Sequence, residues 1–219
     1  MKASGQPRSQ PGLCRGQIDP SHTDLRESEL TGPFPNRRHE LMIVPERPAL
    51  HPAIVESTVW HSQADTQAFA GRLARALLAL PHPGDALIEL HGDLGAGKTT
   101  LARHVLQALG VGGRIKSPTY TVLETYQVPI GQSQLSLSHL DFYRFNDPQE
   151  WEEAGLRDLF AAPGLKLVEW PERAAGLLPP ADLRIFIRST PRAIQDDAPR
   201  QVRLEAWGPT GAALAAAVA

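Results

Sequence analysis

Residues 92–100 read GDLGAGKTT, and the first eight of them fit the phosphate-loop pattern G-x-x-x-x-G-K-[ST]. A true phosphate loop must follow a buried strand and open a helix. Upstream, ALIELHGD at 86–93 begins with a short apolar run, which is typical of a central parallel strand. Downstream, apolar residues recur at helical spacing from Leu101 to Leu109, and Gly110 stands where a C-terminal cap is expected. The order of strand, loop and helix predicts a phosphate-binding loop.

The residue types of the loop suit this chemistry. Gly95 and Gly97 let the backbone curl so that successive N–H groups point at phosphate oxygens. The Lys98 ammonium should reach the β- and γ-phosphates, and the Thr99 hydroxyl should bind Mg²⁺. A lysine at a helix start is unfavourable unless it faces an anion, which argues against a plain surface lysine. The predicted nucleotide-binding residues of the loop are Gly92, Asp93, Leu94, Gly95, Ala96, Gly97, Lys98, Thr99 and Thr100.

Composition limits the possible functions. The net charge of −2 gives no overall electrostatic reason for direct nucleic-acid binding. The single cysteine, Cys14, excludes an internal disulfide and a cysteine-rich metal site. We find no secretory signal and no apolar run near the roughly 20 residues of a membrane helix. We therefore expect a cytoplasmic protein without a membrane segment.

The chain divides into two parts. Residues 1–52 are rich in Pro, Ser, Arg and Gly without a sustained period, so we predict a disordered N-terminal extension. Residues 53–219 are predicted to form one phosphate-loop domain. The expected elements are an edge strand at 53–60, a helix capped by Ser62, a hairpin of strands 119–128 and 135–143, a helical region at 147–160, strands at 164–170, 182–189 and 200–207, and a closing helix or frayed tail at 209–219.

This alternation of strands and helices predicts an α/β fold of the phosphate-loop NTPase type. The sheet should be mainly parallel with helices on both faces, and the 119–143 hairpin should add an antiparallel portion.

Two acids close apolar strands, Asp141 at the end of LSLSHLD and Glu169 at the end of LKLVE. Both should emerge at the C-terminal edge of the sheet, where ligands bind in such folds. A phosphate-loop enzyme needs a second-strand carboxylate for Mg²⁺ and a group that orients water. We therefore predict Asp141 and Glu169 as metal ligands with Thr99, and as catalytic residues with Lys98. The alternative is that each is an ordinary acid at a strand end.

Three other side chains have weaker functional interpretations. His139 could serve as a base or a ligand, but a strand histidine satisfied by hydrogen bonds is the favoured interpretation. Arg144 and Arg173 could neutralise charge on the γ-phosphate, or they could be ordinary surface arginines.

The segment KSPTYT at 116–121 lies between the loop helix and the next strand. Nucleotide switches carry the segment that senses the γ-phosphate at this position. We predict a switch-like role for Ser117, Pro118, Thr119 and Tyr120. A plain loop turned by Pro118 is the alternative.

Four motifs in this order, GDLGAGKTT, KSPTYT, HLDFYRFNDPQE and LVEWPE, resemble those of the TsaE (YjeE) family, from about residue 54 to about residue 207. This family is the small ATPase of bacterial threonylcarbamoyladenosine synthesis on tRNA. The resemblance implies ATP and Mg²⁺ as ligands, and partnership with the TsaB and TsaD proteins, through which tRNA would be reached indirectly. It implies that ATP hydrolysis supports the transfer, which the family itself does not perform.

The resemblance also implies roles for matched residues. Thr99 corresponds to the magnesium-linked threonine, Asp141 to the aspartate of the H-x-D-x-Y-R motif, and Glu169 to the glutamate near magnesium. The switch-like segment falls on 117–120. The adenine environment is implied near Gln63 and near Arg200. The long N-terminal extension departs from the family pattern.

Two alternatives to this function remain open. A small-molecule kinase could use the same loop, but it would need an acceptor pocket and usually an arginine-bearing lid, and no Arg-rich insertion is present. A nucleotide-dependent interaction protein would bind ATP without significant hydrolysis. Partner-stimulated hydrolysis separates this last alternative from a partner-dependent ATPase.

Overall fold

The computed structural model describes residues 51–52, 54–189 and 199–219. All of these belong to one compact unit, Pro45–Ala219. Nearly all of the predicted disordered extension, residues 1–50, and the connection 190–198 lie outside the described residues. The prediction of disorder at 1–52 therefore stays a prediction.

One seven-stranded sheet, in the order β1-β7-β6-β2-β5-β4-β3, forms the centre of the fold. β6, β2, β5 and β4 are parallel, whereas β3 and β7 run antiparallel to their neighbours β4 and β6, and β1 runs antiparallel to β7. The predicted α/β fold with a parallel centre and an antiparallel hairpin is confirmed. The strands are β1 (Ile54–Trp60), β2 (Ala86–His91), β3 (Leu123–Ile130), β4 (Ser133–Asp141), β5 (Leu165–Glu169), β6 (Leu183–Ser189) and β7 (Arg200–Ala206).

The helices are α1 (Gln63–Leu78), α2 (Lys98–Ala108), α3 (Pro148–Glu153), α4 (Leu156–Ala161) and α5 (Gly208–Val218), with a 3-10 helix at Pro171–Ala174. Ser62 caps α1 as predicted. Its hydroxyl accepts a hydrogen bond from the Asp65 N–H, and the Asp65 carboxylate accepts one from the Ser62 N–H. No helix in the described part of the chain has the length and hydropathy to cross a membrane.

Two hydrophobic cores lie on the two faces of the sheet. One contains the apolar sides of α1, α2 and α5, and the other contains residues of α3, α4 and the 3-10 helix. Successive strand side chains point to opposite faces, so Ile88 joins the first core and Leu87 the second. Both are less than a tenth exposed. Burial on both faces explains the continuous apolar run that precedes the phosphate loop.

The largest differences from the predicted element boundaries occur at two places. β3 begins at Leu123 instead of 119, because the chain turns before it: Val122 donates to the Pro118 carbonyl at 2.7 Å and has φ of 63°. The predicted helical region 147–160 is two short helices, separated where Gly155 adopts φ of 63°. At the C-terminus, the helical alternative is the correct one.

Candidate nucleotide-binding site

The loop between β2 and α2 has a backbone that only glycine fits at its first position. Gly92 has φ of 142°, and a Cβ placed there would lie 2.2 Å from the Ile187 carbonyl oxygen of β6. Gly97 has φ of 109°, and its Cβ would lie 3.3 Å from Nε of Arg200. The loop is therefore packed closely against β6 and the start of β7, and the neighbouring strands fix its path.

Lys98 is the first residue of α2, and its ammonium is turned back into the loop. Its Nζ donates to the carbonyls of Gly92 at 2.5 Å and Asp93 at 2.9 Å, and it lies 3.7 Å from the centre of the Trp170 ring. Burial lowers the pKa of Lys98, while nearby carboxylates, first that of Glu169, oppose this shift. The loop thus holds a buried cation at its centre.

Two carboxylates stand side by side next to the loop. β4 and β5 are parallel neighbours, and their register pairs Asp141 directly with Glu169. Both side chains are nearly buried, at 2% and 1% exposure. The Thr99 hydroxyl donates to Oε2 of Glu169 at 2.7 Å. Because parallel strands end at the same edge, the sheet brings the two carboxylates together beside the Thr99 hydroxyl, although the three residues are distant in sequence.

The switch-like segment contacts Asp141 through its hydroxyl groups. The Thr119 hydroxyl donates to Oδ2 of Asp141 at 2.5 Å, and the Ser117 hydroxyl lies 2.9 Å from that of Thr119. The other oxygen of Asp141 accepts from the Tyr143 N–H at 2.9 Å. Tyr120 is 80% exposed, and Arg144 stacks 4.3 Å from its ring centre. The turn after Pro118 therefore positions Thr119 against the site.

A cavity of about 210 Å³ unites these groups. A larger cavity near Trp151 and Phe160, of about 480 Å³, contains neither the loop nor the paired acids, so we assign the site by its chemistry. The residues that line the smaller cavity are Leu94, Gly95, Gly97, Lys98, Thr99, Thr100, Thr119, Asp141, Tyr143, Glu169 and Trp170.

The residues predicted near adenine lie at the same edge of the sheet but outside this lining. Nε of Arg200 donates to the Ala96 carbonyl at 3.1 Å, so this side chain contacts the loop itself. Gln63 is exposed at the start of α1, three residues after Trp60, which pairs with Arg200 in the sheet. The adenine roles of Gln63 and Arg200 stay predictions.

His139 and Trp170 contact residues of the site in ways that the sequence interpretation did not predict. His139 is fully buried, and its Nε2 lies 2.8 Å from Oε1 of Glu169. Trp170 has φ of 57° and packs 5.0 Å from the Tyr143 ring, under the Lys98 ammonium. The two-residue spacing from His139 to Asp141 was an available signal, because it puts both on one face of β4. Arg144 and Arg173 do not line the cavity.

The oxygen groups fit a magnesium ion. Mg²⁺ prefers oxygen ligands and usually takes one or two carboxylates together with substrate phosphates, so it needs no closed protein cage. Thr99, Glu169 and Asp141 supply a hydroxyl and two carboxylates at the loop. Among the residues that the structure describes, no cluster of three His, Cys, Asp or Glu side chains could hold a metal alone.

A family model described as "Threonylcarbamoyl adenosine biosynthesis protein TsaE" matches residues 60–196, more than half of the chain. The chain belongs to the TsaE family. The tRNA threonylcarbamoyladenosine biosynthesis protein TsaE of Haemophilus influenzae is 43% identical over 119 residues, covering 54% of this chain and 73% of that protein. The Bacillus subtilis protein of the same name is 38% identical over 136 residues, covering 62% and 78%.

A solved structure is similar to this chain in sequence and in fold. The crystal structure of YdiB from Bacillus subtilis is 31% identical and superposes with a TM-score of 0.54. The match covers 75% of this chain and 95% of YdiB. The structural match therefore extends over nearly the whole of YdiB.

Proposed function

We propose that this protein binds and hydrolyses ATP with Mg²⁺ as a component of the machinery that makes threonylcarbamoyladenosine on tRNA. The observation that carries the ATPase part is the contact of the Thr99 hydroxyl with Glu169, beside Asp141, at the mouth of a phosphate loop. The names of the relatives support the tRNA part. Membership of the TsaE family joins the two.

The loop would bind the phosphates. Its curled backbone presents N–H groups and the start of α2 adds the positive end of a helix dipole. In the described structure the Lys98 ammonium is held by two loop carbonyls. A bound β- or γ-phosphate would replace these neutral acceptors with charged ones, which form stronger hydrogen bonds with an ammonium. The Lys98 ammonium would therefore neutralise part of the charge of the bound β- or γ-phosphate.

Thr99, Glu169 and Asp141 would hold the metal. A bound Mg²⁺ would neutralise the negative charge that develops on the phosphate oxygens during hydrolysis. Glu169 already shares a hydrogen bond with Thr99, so the two ligands are oriented towards one point. Asp141 is held from two sides, by the Thr119 hydroxyl and by the Tyr143 N–H. A carboxylate fixed in this way is suited to orient the attacking water.

The switch-like segment would couple the state of the nucleotide to a partner. Thr119 contacts Asp141, while its neighbour Tyr120 is exposed to solvent. A change at the γ-phosphate could thus move an exposed surface through one hydroxyl. The adenine base would lie near Gln63 and Arg200, at the same sheet edge.

The partners in this proposal are TsaB and TsaD, and tRNA is reached through their complex. The protein would work in the cytoplasm, where tRNA is modified. Hydrolysis by this chain alone is expected to be weak and to rise when the partners are present.

The first experiment tests the cellular role. Nucleosides from tRNA of cells depleted of this protein are analysed by mass spectrometry, with complementation by the wild type or by Lys98→Ala. We expect threonylcarbamoyladenosine to fall on depletion and to be restored by the wild type alone. A modification level that never changes would refute the tRNA role, and a screen for kinase substrates would follow.

The second experiment tests the site with purified protein. ATP turnover is measured with and without TsaB and TsaD for Lys98→Ala, Asp141→Asn and Glu169→Gln. Removal of one positioned transition-state contact costs about 100-fold or more in turnover, and we expect that loss in each variant. Only Lys98→Ala should also weaken nucleotide binding in the absence of Mg²⁺. Turnover close to that of the wild type in all three would contradict the site assignment.

A further inference from the structure

The buried carboxylate of Glu169 is held at both oxygens. Oε2 accepts from the Thr99 hydroxyl at 2.7 Å, and Oε1 lies 2.8 Å from Nε2 of His139. His139 has no exposed surface, and Glu169 is 1% exposed. The histidine therefore contacts the proposed metal ligand from the interior of the protein, at the carboxylate oxygen that Thr99 does not contact.

The register of the sheet sets this arrangement. His139 lies two residues before Asp141 on β4, so both side chains project from the same face. Asp141 is paired with Glu169 across the parallel β4–β5 ladder. His139 is paired with Leu167, two residues further from the edge of the sheet. The imidazole consequently sits behind the carboxylate, too far inside the sheet to be a ligand at its edge.

The imidazole makes no other polar contact in the described part of the chain. Nδ1 of His139 is buried and has no hydrogen-bond partner there. Its sequence neighbour Leu140 and its strand neighbour Leu137 are both fully buried apolar residues. A leucine would fill this position without burying an unpaired nitrogen, so packing alone gives no reason for a histidine. The contact with Glu169 is what the ring's polarity provides.

We propose that His139 is a positioning residue that orients the Glu169 carboxylate towards Thr99 and the metal. The inference rests on the proposed ATPase function. Groups that hold a metal ligand from behind fix its rotation, and their loss typically weakens metal affinity 10–100-fold. Without His139, the Glu169 carboxylate is free to rotate about its terminal bond and to turn Oε2 away from Thr99. His139 itself is not among the residues that line the cavity.

Three variants separate a positioning role from a packing role. His139→Leu removes the hydrogen bond and keeps an apolar side chain of similar volume. His139→Gln keeps an N–H donor at about the reach of Nε2. His104→Leu is the matched control, because His104 is a histidine of α2 whose ring nitrogens are buried and have no partner among the described residues.

The decisive measurement is Mn²⁺ binding by the ADP-loaded protein, followed by EPR titration. Melting temperature is recorded in parallel, and the Mg²⁺ concentration for half-maximal ATPase activity is a second readout. We expect His139→Leu to weaken Mn²⁺ binding about 10–100-fold. His139→Gln and His104→Leu should bind Mn²⁺ within about threefold of the wild type.

Each outcome decides between the proposals. Wild-type Mn²⁺ affinity in His139→Leu, with Glu169→Ala impaired, would overturn the positioning role and leave the ATPase proposal intact. Equal weakening in His139→Leu and His139→Gln, without loss of melting temperature, would also overturn it, since the donor would not matter. A wild-type protein that shows no nucleotide-dependent Mn²⁺ binding would refute the ATPase proposal itself. If His139→Leu does not fold, His139→Asn, whose amide is too short to reach Glu169, takes its place.

Discussion

Two glycines of the phosphate loop should respond very differently to the same substitution. Gly92 and Gly95 both have positive φ, at 142° and 80°. A Cβ at Gly92 would lie 2.2 Å from the Ile187 carbonyl oxygen, whereas a Cβ at Gly95 would meet nothing within 4 Å. Alanine at either position therefore carries backbone strain, but only alanine at 92 also collides with a neighbouring strand.

The magnitudes follow from these two terms. An alanine in the left-handed region lowers the free energy of unfolding by about 1 kcal/mol, and this is the whole effect expected for Gly95→Ala. At Gly92 the φ value is one that almost only glycine adopts, with a strain of about 2 kcal/mol. Relief of the collision requires β2 and β6 to separate by roughly 1 Å, and overpacking of this kind costs about 2 kcal/mol more. We therefore expect Gly92→Ala to lower the free energy of unfolding by about 4 kcal/mol.

The assay is thermal unfolding followed by circular dichroism. For a domain of this size, 1 kcal/mol corresponds to about 2–4 °C in melting temperature. Gly92→Ala should melt about 8–16 °C below the wild type and Gly95→Ala about 2–4 °C below it. Because Gly92 also supplies a carbonyl to Lys98, the first variant should lose nucleotide binding as well. Equal melting temperatures for the two variants would refute the argument that β6 fixes the loop.

Three further predictions test other parts of the molecule. Burial raises the pKa of Asp182, so ionisation of this carboxyl disfavours the folded state as pH rises above the ordinary value of 3.8. Asp182→Asn keeps an acceptor for the Leu87 N–H, and its free energy of unfolding in urea should increase relative to that of the wild type between pH 4 and pH 7. A difference in unfolding free energy that stays constant across this pH range would contradict the prediction. Thr119→Val should lower ATP turnover and cost about 1 kcal/mol of stability while nucleotide binding persists, with Thr119→Ser as the control that keeps the hydroxyl. Removal of residues 1–50 should change the melting temperature by less than about 2 °C and leave nucleotide binding intact, and a larger fall would show that this segment stabilises the domain.

Local sequence signals predicted the elements of the fold well where apolar periodicity was strong. The helix after Ser62 was predicted with its cap, and its apolar residues Phe69, Leu73 and Leu77, which recur at helical spacing, are fully buried. The start of β3 was wrong by four residues. Alternation in TYTVLETYQV extends back to 119, but a turn hydrogen bond between Val122 and Pro118 decides that end of the strand.

The residues of the candidate site could be singled out from the sequence, but their geometry could not. The phosphate loop has a local sequence signature, because its glycines, lysine and threonine all lie within residues 92–100. Strand-end acids are recognised by position alone, so Asp141 and Glu169 could be singled out before their pairing was known. The contact of His139 with Glu169 depends on the lateral order and register of β4 and β5, which no local pattern encodes.

The sequence by itself determined the phosphate loop, the strand and helix alternation, and the residue types that a nucleotide and a metal require. These features are local, because backbone conformation and side-chain chemistry act within a few residues of each other. Only the tertiary structure decided that β4 lies beside β5, that Ile187 of β6 closes on Gly92, and that His139 stands behind Glu169. Those contacts join residues 28 to 95 positions apart, and the free energy that selects them comes from packing of the whole sheet between its two cores.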